Sequence, residues 1–103
     1  MANAIFYVEY KLKKGADAAE FLAAAKRLND EYISKQPGYV SWQQVRDGEI
    51  WADLCAFETM QDAKNFESSQ AGGELAEKFY SFINLPSCKA HFFSVEKNYS
   101  RTE

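Results

Sequence analysis

The sequence predicts a single α+β domain built on one four-stranded antiparallel sheet, with its helices gathered on one face. Three observations carry that reading. At 103 residues the chain is close to the commonest size for one domain. Apolar residues recur with period 2 or period 3.6 in successive segments, in the order strand, helix, strand, strand, helix, strand. Between the two middle strands stands Asp47-Gly48, a strong short-range hairpin signal.

The first strand is "AIFYVEYKL" (4–12), where Phe6, Val8, Tyr10 and Leu12 alternate with Ile5, Tyr7, Glu9 and Lys11. Gly15 ends it. Asp17 opens a helix, with Glu20 three residues on as an acidic form of the capping box. Five alanines favour the helix, and Phe21, Ala25, Leu28 and Tyr32 fall on one stripe. Pro37-Gly38 stops it. The hairpin "GYVSWQQVRDGEIWADLCAFE" (38–58) follows. Thr59 and Asp62 then cap a short helix bearing Ala63 and Phe66. "SSQAGG" interrupts, and "ELAEKFYSFI" resumes helically with Leu75, Phe79 and either Phe82 or Ile83 inward. Pro86 ends that segment, "CKAHFFSVEKNY" reads as the last strand, and residues 98–103 are expected to fray.

A β-α-β-β-α-β order fits a ferredoxin-like sheet in strand order 4-1-3-2, because right-handed crossovers leave room for a strand between the two they join. A two-residue Asp47-Gly48 turn places Arg46 opposite Glu49 and sorts the hairpin into two faces. Tyr39, Ser41, Gln43, Val45, Ile50, Ala52, Leu54 and Ala56 share one face. Trp42, Gln44, Trp51, Asp53 and Cys55 share the other. The first set, aliphatic with several small residues, suits a helical cover. The second set then lies uncovered, where two indoles would form an apolar patch that monomers rarely show. Trp42, Gln44, Trp51 and Asp53 are therefore expected to glue two copies face to face.

Composition narrows the function. The chain is 47% hydrophobic and 16% aromatic, which supports a core together with an association surface or a cavity. A net charge of -3 argues against nucleic acid or an anionic membrane as partner. No run approaches a membrane span, and the opening residues carry Glu9 inside their apolar stretch, unlike a secretory signal. A cytoplasmic location is expected. Two cysteines without a CxxC indicate neither a disulfide framework nor zinc; the strand order holds Cys55 and Cys88 about 9–10 Å apart, beyond disulfide reach. One histidine builds no metal site unless carboxylates complete it.

The segments "YVEYKLKKGADAAEFL", "QPGYVSWQQV" and "WADLCAFETMQDAKNFESS" resemble the antibiotic biosynthesis monooxygenase-like (ABM) domains of the dimeric α/β-barrel superfamily. The likeness spans nearly the whole chain, residues 1–103. It implies a homodimer whose sheets form a barrel, and a small-molecule pocket between sheet and helices in each subunit. The lining expected on the sheet side is Tyr39, Ser41, Gln43, Ala52 and Leu54, roofed by Tyr32, Phe66 and Phe79 among others.

Some such proteins oxygenate phenolic or quinol compounds without metal or flavin, because the substrate's own anion reduces oxygen. Tyr10 and His91 are the acid–base candidates for that chemistry here. The face of His91 stays open, since Phe92 and Phe93 give both parities an aromatic. Relatives that degrade haem use a histidine on the second helical region, and "ELAEKFYSFI" has none. Two functions follow: an oxygenase with no bound cofactor or metal, acting on a small aromatic or quinol-type compound, or a non-catalytic homodimer that binds a small ligand.

Overall fold

The computed structural model describes residues 2–68 and 72–102. Strand β1 (Ala4–Leu12) leads into α1 (Ala18–Glu31) and a single 3-10 turn (Ile33–Lys35). Strands β2 (Tyr39–Asp47) and β3 (Ile50–Phe57) form the hairpin; α2 (Met60–Ser68), α3 (Gly73–Tyr80) and β4 (Ile83–Ser94) complete the domain. The sheet order is β2-β3-β1-β4, antiparallel throughout, which is the predicted ferredoxin-like arrangement. Residues 69–71, within the predicted "SSQAGG" break, lie outside the described residues, as does Glu103 of the tail.

Local chemistry accounts for the boundaries. The Asp17 carboxylate accepts the backbone N–H groups of Ala19 at 2.8 Å and Glu20 at 3.2 Å, so two of the unpaired donors of the first turn of α1 are satisfied. Thr59 caps α2 in the same way, its hydroxyl accepting from the Asp62 N–H at 3.0 Å. The last strand starts at Ile83, earlier than predicted, and carries Pro86 inside it. Glu9 lies opposite Lys89 but Lys11 lies opposite Asn84, so residues 85–88 stand opposite Tyr10 alone as a bulge. A proline is tolerated there because β4 is an edge strand and the bulge asks for no ladder N–H.

The hairpin differs from expectation in two ways. Asp47 pairs with Ile50, which makes Gly48 and Glu49 the turn residues and slides the register by two. Gly48 has φ +61 and no other residue type in the described chain has positive φ. That is the pattern of a turn with glycine at its first central position, whereas the expected turn also asks Asp47 to take positive φ. An even slip preserves the sorting of the faces. Their assignment, however, is reversed.

Trp51 is 5% exposed beneath α1, and its ring meets Phe21 at 5.2 Å edge to face. Trp42 meets Phe79 of α3 at 5.6 Å. The helices therefore cover the aromatic face. The reason lies in α1, whose buried stripe is Phe21, Ala24, Ala25 and Leu28. Alanines on the helix leave space that indoles on the sheet fill, and close packing requires that complementarity. Phe21 is completely buried among Tyr10, Trp51, Phe79 and Phe82, with ring centroids 5.1 to 6.0 Å away.

The other face bears Ile5, Tyr7 and Glu9 of β1, Ser41, Gln43 and Val45 of β2, Leu54 and its alternate neighbours of β3, and Lys89, His91 and Phe93 of β4. Among the described residues no helix lies over it.

Phe21→Ala should destabilise the fold by about 3–5 kcal/mol, the usual cost of emptying a large core site. Urea unfolding of wild type and variant checks this, and a loss under 1 kcal/mol would contradict the central place given to that ring.

Candidate functional site

Asp53 stands in the middle of β3, opposite Val8 on one side and Gln44 on the other. Its side chain points under the helices and is 4% exposed, the one buried acidic residue of the described core. Tyr10 is its diagonal neighbour on β1, and the Tyr10 hydroxyl donates to Asp53 Oδ1 at 2.8 Å. Burial pushes the carboxyl up to about 6, against the opposing pull of the Tyr10 hydrogen bond and of the nearby Trp42 and Gln44 N–H groups. The same burial, reinforced by the Asp53 charge, pushes the Tyr10 phenol well above its ordinary value. Trp42 Nε1 and Gln44 Nε2 lie close enough to favour the carboxylate, yet neither reaches hydrogen-bond geometry. Two buried donors are thus left unpaired beside one buried acid.

A cavity reaches this group from outside. Its inner chamber, about 100 Å³, is walled by Val8, Tyr10, Trp42, Asp53, Cys55, Phe79, Ile83 and Cys88. Five further residues, Phe6, Leu28, Ile33, Phe66 and Tyr80, border both this chamber and an outer one of about 430 Å³. Tyr32, Glu67, Gly73, Ala76 and Glu77 complete the outer chamber. Tyr80 is half exposed as a residue, but burial of its hydroxyl raises its pKa, and the Asp53 charge adds to the shift. Burial likewise raises the Cys55 and Cys88 thiols, so neither is a ready thiolate, and both are free. Among the described residues no three His, Cys, Asp or Glu side chains come together as a metal site.

The expected site residues divide between the two faces. Tyr10, Phe66 and Phe79 border the inner chamber, and Tyr32 the outer one. Tyr39 is carried to the helix side by a register shift between Tyr39 and Ser41, and its hydroxyl donates to Asn29 Oδ1 at 2.7 Å; it borders neither chamber. Ser41, Gln43, Ala52 and Leu54 lie on the uncovered face, outside the cavity. His91 is there too, stacked on Phe93 at 5.4 Å and well away from Tyr10's face. Conversely Trp42, Gln44, Trp51 and Asp53, expected between two copies, lie beneath the helices. The correction follows from packing, since an alanine-rich helix cannot fill the space over a face of small residues. A signal for Asp53 was present in the alternation, as it is the acid in phase with both tryptophans.

Asp53 has a consequence for stability. Its folded pKa of about 6 exceeds the unfolded value near 3.8, so the native state binds the extra proton between those values. Stability from this group is greatest below about pH 4 and is lost as pH rises through about 6, a change of about 3 kcal/mol. The stability difference, wild type minus Asp53→Asn, should therefore fall from pH 4 to pH 7 by that amount in urea titrations. A difference independent of pH would contradict the buried-acid assignment.

No protein-family model matches the sequence, and no curated protein matches it significantly. Solved structures do match. SnoaB, a cofactor-independent oxygenase from Streptomyces nogalater, superposes with TM-score 0.73 at 12% identity, covering 95% of this chain and 97% of that one. The monooxygenase from the gene ActVA-Orf6 of Streptomyces coelicolor, solved with nanaomycin D, gives 0.69 at 17%, covering 98% and 94%. A protein of unknown function from Nitrosomonas europaea, NE2512, gives 0.69 at 18%, covering 100% and 98%. The chain has the fold of the antibiotic biosynthesis monooxygenase domains.

Proposed function

We propose that the chain is an oxygenase for a small phenol or quinol, with Asp53 as general base at the inner end of the cavity. One observation carries this reading: a buried carboxylate, held by Tyr10, ends an otherwise apolar pocket. The fold it shares with the Streptomyces oxygenases supports it.

Asp53 accepts the phenolic proton. Raising its pKa from 3.8 to about 6 narrows the gap to a phenol from about 6 units to about 4, a gain of about 3 kcal/mol in the transfer. The apolar walls leave the resulting anion electron-rich, and it gives one electron to dioxygen. Recombination of the radical pair at a ring carbon that bears hydrogen forms a C–O bond, and Asp53 returns its proton to the outer peroxide oxygen. That carbon then loses its hydrogen as a proton while the O–O bond breaks; hydroxide leaves and combines with the proton as water, and a carbonyl remains. One oxygen atom enters the product and the other leaves as water, with dioxygen the only oxidant. Tyr10 acts as a positioning residue, since its donated hydrogen bond fixes the carboxylate.

The uncovered sheet face completes the proposal, and its occupant is a second copy of the chain. Val45, Ile50 and Phe93 are each more than two-fifths exposed on that face, and the half-buried Ile5, Tyr7 and Leu54 lie between them, apolar area that a second copy would cover. In this proposal the homodimer again joins sheet to sheet, through Val45, Ile50 and Phe93 in place of Trp42, Gln44, Trp51 and Asp53.

Two measurements test these assignments. Oxygen uptake with mono- and bicyclic quinols should exceed the protein-free rate and fall on an acid limb at about pH 6. Asp53→Asn should lower it by about 10²–10⁴-fold. In Tyr10→Phe the acid limb should move to higher pH, because the carboxylate loses the hydrogen bond that opposes its burial. No uptake across the panel, with binding retained, would leave a binding protein and remove the oxygenase reading. Phe93→Asp with Val45→Asp should shift sedimentation from dimer to monomer, and an unchanged dimer would place the interface elsewhere.

A further inference from the structure

We infer that the cavity admits a single hydroxylated ring as the head of its ligand, followed by a neutral or cationic tail. This deepens the phenol reading and rests on it.

The size limit comes from the inner chamber. At about 100 Å³ it is smaller than the cavities of about 150 Å³ that take benzene, so one ring fills it and a fused second ring is forced into the neck bordered by Phe66 and Tyr80. The walls are resistant to further widening, because Phe79 is locked between Phe21 and Trp42 and Ile83 is 2% exposed. Polar complementarity fixes the head. Asp53 offers an acceptor, and the indole N–H of Trp42 is a buried donor without a partner on the same chamber wall. A phenolic oxygen serves both, donating its hydrogen to one and accepting from the other. An ether donates nothing to Asp53, and a hydrocarbon also leaves the Trp42 N–H unpaired, so each binds more weakly than a phenol.

The tail is read from the outer chamber. It shares its neck with the inner one, so whatever hangs from the ring passes Tyr80 and lies beside Glu67 and Glu77. Both carboxylates are exposed, and among the described residues no lysine, arginine or histidine borders that chamber. An anionic tail meets repulsion from both, whereas an ammonium tail is attracted. Para substitution points the tail along the axis from Asp53 to the neck.

Isothermal titration calorimetry on the full chain at pH 7 tests this with four probes: 4-ethylphenol, tyramine, 4-hydroxyphenylacetate and 2-anthrol. The first two should bind about tenfold or more tightly than the last two, a difference of about 1.4 kcal/mol. In Glu67→Gln with Glu77→Gln the preference for tyramine over 4-hydroxyphenylacetate should shrink to about threefold or less. Tyr80→Ala, which widens the neck at an exposed position, should improve 2-anthrol relative to 4-ethylphenol. Equal or tighter binding of the acid, or of the tricycle, to the wild type overturns the inference, as does binding of none of the four. Retained ranking without oxygen uptake would count against the oxygenase chemistry alone.

Discussion

The packing of Phe21 against the sheet aromatics is the contact on which the rest of the molecule depends. One ring joins α1 to β1 through Tyr10, to β3 through Trp51 and to α3 through Phe79. Around it, small helix residues join large sheet residues in one buried cluster, with Ala24 and Ala25 one turn along α1 from Phe21 and Trp51 against its ring, so the layer is dense there. Further along, Leu28, Ile33 and Phe66 stand over Phe6 and Val8, and there the fit is looser. The cavity lies in that second region. A tight end and an open end of one helix–sheet layer thus give the domain both its stability and its pocket.

Asp53 sits where the two regions meet. A carboxylate in this position costs the fold several kilocalories per mole once ionised, because its hydration is replaced by one hydroxyl and two imperfectly aimed N–H donors. Core tolerance of such a group has a physical meaning only if something else gains. The proton affinity it acquires is well placed to accept a proton from a weak acid near neutral pH, which neither a solvated aspartate nor a fully satisfied one would do as well. Stability and chemistry pull on the same atom in opposite directions.

The two sheet faces divide the labour differently from the way their composition suggests. Conspicuous residues, the two tryptophans, belong to the core and the chamber wall. Quieter ones, such as Leu54 and Val45, lie on the uncovered side with Tyr7, His91 and Phe93. There His91 stacks on Phe93 while Tyr7 meets Phe93 edge to face and His91 at a tilt, so the histidine that looked like a default base has aromatic company away from the cavity.

By itself the sequence determined the element order, the caps at Asp17 and Thr59, the sheet topology, and which hairpin residues from Ser41 to Ala56 share a face. These rest on short-range rules: periodicity, cap chemistry and the parity of a strand, which survived even a two-residue slip at Gly48. Tertiary structure alone decided which face the helices cover. Parity is symmetric between the two sides of a sheet, and only the volume match of an alanine stripe with two indoles breaks that symmetry. That choice carried Asp53 and Trp42 into the cavity and took Ser41, Gln43, Ala52, Leu54 and His91 out of it. It also set the proton affinity of Asp53, which depends on how completely three helices and a sheet exclude water from one carboxyl group, a quantity no local pattern encodes.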